Sequence, residues 1–163
     1  MLNLFQTNTS TGNKANDYKL ALKQIAALSA DEEDAIAILA NASALLNQLL
    51  DDINWVGFYI WRDTELVLGP FQGLPACIRI PYGKGVCGTA VMERKTQRVA
   101  DVSKFPGHIV CDAASQSEIV IPLMINDTIY GVLDIDSPMT DRFDEVDQSF
   151  LEEFVHVLEN SLT

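Results

Sequence analysis

"EIVIPLMINDTIYGVLDID", residues 118–136, is where the fold can be read. Two apolar runs, Ile119 to Ile125 and Ile129 to Ile135, flank Asn126-Asp127, a turn signal of the kind that joins neighbouring strands. A connection this short makes the two strands antiparallel. Working outward, "NWVGFYIWR" (54–62) alternates Trp55, Gly57, Tyr59 and Trp61 against Val56, Phe58 and Ile60, which is strand periodicity with both faces apolar. "ELVLGPF" (65–71) and "ACIRIP" (76–81) continue as a meander.

Helical spacing brackets the strands. Tyr18, Leu22 and Ile25 form one stripe over 17–28. Ile38, Ala42, Leu45, Leu46 and Leu49 form a second, with Ser29 and Glu32 as a capping box before it. "GKGVCGTAVMERK" (83–95) reads as a short helix opened by glycines. The last helix runs from about Asp144 to Asn160 on a stripe of Val146, Phe150, Phe154, Val157 and Leu158. Short connections with helices at both ends predict an α+β fold, an antiparallel sheet with helices segregated onto its faces. The end helices must cover one sheet face or each other, and their stripes suit pairing across a two-fold axis in a homodimer.

At 163 residues the chain is one domain, with residues 1–14 expected as a flexible N-terminal segment before a domain over 15–163. The formal charge is −12, from 23 acids against 11 bases, and no basic stripe forms, so nucleic acid and anionic membrane are excluded as partners. The N-terminus has neither a basic region nor a long apolar core, and no run is long enough to span a bilayer. A cytoplasmic setting is expected, where thiols stay reduced and cysteines are buried, metal-bound or redox-active.

The three cysteines, Cys77, Cys87 and Cys111, follow no zinc-ligand spacing, although His108 three residues before Cys111 makes a Cys3His set a rival reading. Cys111 sits in the polar segment "PGHIVCDAASQSEIV" (106–120), seven residues before Glu118, where no packing rule asks for a thiol. Cys87 stands near a helix start, whose dipole would lower its pKa, or is a small buried hydrophobe. "GKGVCGT" lacks the spacing of a phosphate loop. Asp134 and Asp136 share a strand face; it is either a solvated edge or an acidic patch that grips an ammonium group. Trp55 and Tyr59 share a face too, as core or as aromatic walls for a small cationic ligand.

Taken in order, "NWVGFYI", "LGPFQG", "ACIRI", "GKGVCGTA", "DVSKFPGHIVCDAASQSEIVIP" and "GVLDIDSP" resemble the free methionine-(R)-sulfoxide reductases, single GAF-domain enzymes, over about residues 15–160. The resemblance implies a GAF-like six-stranded antiparallel sheet with helices on both faces. It implies a pocket closed by the Cys111 loop, and reduction of free L-methionine-(R)-sulfoxide with thioredoxin as the recycling reductant. By position Cys111 is then the nucleophile and Cys77 its resolving partner, with Cys87 a secondary recycling thiol or a structural one. Trp55, Tyr59, Glu118, Asp134 and Asp136 become the substrate-binding set. No cofactor and no resident metal is expected.

Such a reaction needs a thiolate to attack sulfur, a proton for the departing oxygen and a second thiol to capture the sulfenic acid. Clustered carboxylates suppress one another's ionisation, so Glu118 or Asp136 is expected to hold that proton. Cys77, expected on the third strand, must bring its Cα to about 4.4–6.8 Å from that of Cys111. The alternative is a non-catalytic GAF module that binds a small molecule for regulation.

Overall fold

The computed structural model describes residues 10–163. Strands β5 (Ser117–Ile125) and β6 (Thr128–Ser137) pair antiparallel about Asn126 and Asp127, whose φ values of 50° and 59° meet the demand of a tight primed turn. Strand β1 (Trp55–Arg62) lies against the other edge of β6, and β2 (Glu65–Gly73) against β1. Short edge strands β3 (Arg79–Pro81) and β4 (Gln97–Val99) complete an antiparallel sheet of six strands, ordered β3-β2-β1-β6-β5-β4. The sequence pattern gives no sign of β4, because three residues at an edge carry no period.

The alternation of β1 divides the core in two. Val56, Phe58 and Ile60 join Ile119, Ile121, Leu133 and Ile135 beneath α1 (Lys14–Ser29), α2 (Ala35–Leu49) and α4 (Glu145–Ser161). Trp55, Tyr59, Val120 and Val132 face the opposite way, under α3 (Gly85–Glu93). Each buried side chain of this size stabilises the fold by about 1.5–3 kcal/mol, so a one-residue slip of β1 would invert both layers. Helices on both faces of an α+β sheet are thus observed.

Four local expectations are corrected. Helix α2 is capped by Asp34, whose carboxylate accepts from the Ala37 N–H; Ser29 instead ends α1 and donates to the Ile25 carbonyl. On α4, Val146 is 43% exposed, and Leu151 and Val155 do the packing, because the helix turns its stripe toward α1. Cys77 lies in the loop before β3 rather than on it. Helix α1 starts at Lys14, earlier than its apolar stripe, because the Asn13 side chain caps it by accepting from the Asn16 N–H.

The end helices α1 and α4 cover the same sheet face and also each other, with Tyr18 stacked on Phe150 at 5.3 Å. The expected flexible segment 1–14 falls mostly outside the described residues; Ser10 and Thr11 hydrogen-bond to Asp17 on the first turn of α1. Among the described residues no helix is long and apolar enough to cross a membrane.

Candidate active site

On the α3 face, the ends of β1, β5 and β6 leave a recess of about 550 Å3, counting its open mouth. Strand periodicity builds its floor. Asp136 is in register with Trp55 on one side and Glu118 on the other, and Asp134 lies two residues back on the same face. Helix α3 closes one wall with Cys87 near its start, and the loop 105–116 closes another with His108 and Cys111. Trp55, Tyr59, Cys87, Cys111, Glu118, Asp134 and Asp136 therefore all line one cavity. Cys77 joins them through its bond to Cys111.

The solvated-edge reading of Asp134 and Asp136 is overturned: Glu118 and Asp134 are each 6% exposed, and Asp136 is half-buried. Burial, reinforced by the charges of Asp134 and Asp136, pushes the Glu118 carboxyl well above its ordinary range. Burial and the neighbouring Asp134 and Asp112 do the same to Asp136. Burial raises Asp134 from 3.8 to about 6, against hydrogen bonds from Glu118 and Cys87 that pull it down. Among the described residues no Lys or Arg forms an ion pair with any of the three. The Asp134 Oδ1 atom is buried without a hydrogen-bond partner.

Cys87 is 3% exposed and its thiol donates to Glu118 Oε1 across 3.9 Å. A lowered pKa at the helix start is not what the structure has. Burial first, then Asp134, Glu118 and Asp136, push this thiol well up, and together they outweigh a helix-terminus effect of about 1 kcal/mol. His108 Nε2 stands 3.8 Å from Glu118 Oε2, and burial lowers the His108 pKa, so the ring is neutral near pH 7.

Cys111 is carried by a loop that is pinned rather than free. Gly85, at φ 62°, leaves the space that Ile109 fills; a Cβ there would come within 3.1 Å of the Ile109 side chain. The Asn54 amide donates to Asp112 Oδ2 at 2.9 Å and to Ser115 Oγ at 3.1 Å. Cys111, which lines the recess, is bonded to Cys77 with Cα atoms 5.5 Å apart, across a sequence separation of 34 residues. The rival Cys3His metal set is thereby dissolved, because two of its thiols are joined to each other while the third sits on the floor beside Glu118.

Trp55 and Tyr59 serve as core and as wall at once. Trp55 stacks on Phe71 at 5.2 Å and on Tyr59 at 5.9 Å, while both rings border the recess. Their polar ends hold the loop that carries Cys77. The Trp55 indole N–H donates to the Leu74 carbonyl at 3.1 Å, and the Tyr59 hydroxyl to the Cys77 carbonyl at 2.9 Å. Asn54, Asp112 and Ser115 escape a reading of the sequence, since they lie in aperiodic segments and meet only in space.

A six-stranded antiparallel sheet with helices on both faces and a ligand-sized recess beside one helix defines a GAF domain, and the model of the GAF domain family matches residues 34–162. The free methionine-R-sulfoxide reductase of Escherichia coli is 53% identical over 92% of this chain and 91% of its own length. The structure of fRMsr of Staphylococcus aureus in complex with substrate is 57% identical, covers 97% of this chain and 99% of that one, and superposes with a TM-score of 0.87. That of free methionine-R-sulfoxide reductase from Neisseria meningitidis, also with its substrate, is 44% identical over 95% and 93% of the two chains, with a TM-score of 0.91. The chain belongs to the free methionine-R-sulfoxide reductases of the GAF domain family.

Proposed function

We propose that this protein reduces free L-methionine-(R)-sulfoxide to L-methionine, with Cys111 as nucleophile and Cys77 as resolving thiol. The observation that carries this reading is a Cys77–Cys111 bond at a recess floored by the buried Glu118 and Asp134 and the half-buried Asp136, none paired with a Lys or Arg among the described residues. A regulatory GAF module has no use for a thiol pair closing over its ligand.

The Cys111 thiolate attacks the sulfoxide sulfur, and the oxygen accepts a proton as the sulfur–oxygen bond gives way. A second proton lets the oxygen leave as water. A water molecule then attacks the Cys111 sulfur of the sulfonium adduct and breaks its bond to the methionine sulfur, releasing methionine and a proton and leaving Cys111 as the sulfenic acid. The Cys77 thiol then displaces water from that sulfenic acid and forms the disulfide. Glu118 and Asp136, whose pKa values lie highest for their type, are the proton donors; Asp134, which ionises near pH 6, pairs with the substrate ammonium. That ammonium brings the missing positive charge to the floor, and so also favours the Cys111 thiolate. Trp55 borders the S-methyl group. A peptide bond would replace the ammonium with a neutral amide, which is why the substrate is the free amino acid.

Cys111 is solvent-exposed in its disulfide, open to attack by a dithiol protein of the thioredoxin class in a cytoplasmic setting. Exposed Ile36 on α2 and Val146 on α4 are the apolar surface a homodimer would use.

The test is turnover of free L-methionine-(R)-sulfoxide with a thioredoxin system. Cys111→Ser is expected to lose activity by about 1,000-fold or more. Cys77→Ser is expected to release about one methionine per chain and then stall. Sustained turnover by Cys111→Ser would overturn the reading, and multiple turnovers by Cys77→Ser would remove Cys77 from the resolving step.

A further inference from the structure

The reaction above makes no use of Cys87, a buried thiol set between two buried acids on the floor of the recess. We propose that Cys87, Glu118 and Asp134 form a binding site for a thiophilic divalent cation of the Zn2+ class, which occupies the floor in place of the substrate ammonium. One ligand atom from each residue lies within 4.8 Å of the others, and Cys87 Sγ stands 3.9 Å from Glu118 Oε1. An independent feature points to a ligand at the same spot: Asp134 Oδ1 is buried there with no hydrogen-bond partner.

Bond lengths decide whether the set can close. Zinc bonds of about 2.3 Å to sulfur and 2.0 Å to oxygen, held tetrahedrally, put the two ligand atoms about 3.5 Å apart. From 3.9 Å that is a shift of a few tenths of an ångström, within reach of side-chain rotation. The three residues supply three donors, and the recess they line leaves the fourth position to water. One thiolate and two carboxylates with a water match zinc; Mg2+ and Ca2+ want oxygen alone and more of it. A divalent cation displaces the proton of the Cys87 thiol when it binds. All three ligands line the recess, so the cation enters by the substrate's route.

The site stands independently of the proposed reaction and is tested without an activity assay. In the Cys77→Ser/Cys111→Ser protein the competing thiols are gone. Co2+ is then expected to bind once per chain with a thiolate-to-metal charge-transfer band and the strong visible bands of tetrahedral geometry. Zn2+, titrated against a chromophoric chelator, is expected to bind about 100-fold more weakly when Cys87→Ser is added, with loss of the Co2+ charge-transfer band. Asp134→Asn, which leaves the thiol in place, is expected to weaken Zn2+ by about tenfold or more and decides the matter if the Cys87 variant does not fold. Zn2+ affinity unchanged by Asp134→Asn, or a Co2+ spectrum without a thiolate band, would overturn the site. Free methionine is expected to raise the apparent Zn2+ Kd. If Zn2+ binds through these residues and methionine leaves it unmoved, the exclusion of substrate fails while the cation site stands.

Discussion

The chain buries acids in two places and treats them in opposite ways. Asp147 at the start of α4 is fully buried and fully answered: it accepts from the Tyr18 hydroxyl at 2.7 Å, Lys14 Nζ at 2.8 Å, Arg142 Nη1 at 3.2 Å and the Asp144 N–H at 2.8 Å. Glu118 and Asp134 are nearly as dry, Asp136 beside them is half-buried, and among the described residues none of the three has such cations. At the first place the fold supplies the compensating charge itself and uses the ensemble to tie α1 to α4. At the second the compensation is left for whatever enters the recess, and until then protons stand in. Burial alone does not mark a functional carboxylate; burial without a fixed counter-charge does.

This contrast can be broken by exchange experiments. The largest effect is expected at Glu118. Glu118→Gln removes the proposed proton donor while keeping its size and hydrogen-bonding groups, so kcat should fall by about 100- to 10,000-fold with stability kept. A stability loss as large as that of an Asp147 variant would make Glu118 a structural acid. Asp147→Ala should do the reverse. It leaves Lys14 and Arg142 beside an empty apolar site and costs about 3–5 kcal/mol in denaturant melts, with kcat of the folded fraction unchanged.

A smaller, pH-dependent effect belongs to Asp134. Its carboxyl binds protons more tightly folded than unfolded, so its stability contribution is complete below pH 3.8 and lost as pH rises through about 6. The wild type should therefore lose about 2 kcal/mol between pH 4 and pH 8 that Asp134→Asn does not lose. The same variant should raise KM for the free amino acid. Parallel stability curves for the two proteins would contradict the raised pKa. The smallest change is Gly85→Ala, where a positive φ and the Ile109 contact should cost about 1–2 kcal/mol and slow turnover by displacing the Cys111 loop. Unaltered Cys111 alkylation kinetics in that variant would detach the loop's position from Gly85.

The sheet and its two faces were legible because β1, β5 and β6 carry long, clean periods, and period two assigns every side chain to a layer. The same rule placed Asp134 with Asp136 and Trp55 with Tyr59. What it leaves undecided is whether a face is covered, and that is why the acids read equally well as solvated or buried. Of the two readings of Cys87 the buried thiol holds; the sequence could not choose between them because helix position is visible in it, whereas the three carboxylates brought beside the thiol from β5 and β6 are not. Asn54, Asp112 and Ser115, which pin the Cys111 loop, belong to segments with no period at all. Strand β4 and the cap of α2 were lost for the opposite reason: a few residues of ordinary polarity satisfy too many rules at once.

The 77–111 bridge has a further consequence. Under the proposed cycle this link ends each round, so a spent molecule stays idle until electrons arrive from outside. The share of chains standing idle in that cycle is a running gauge of how far oxidant supply exceeds reducing power, recorded in the protein's own covalent structure.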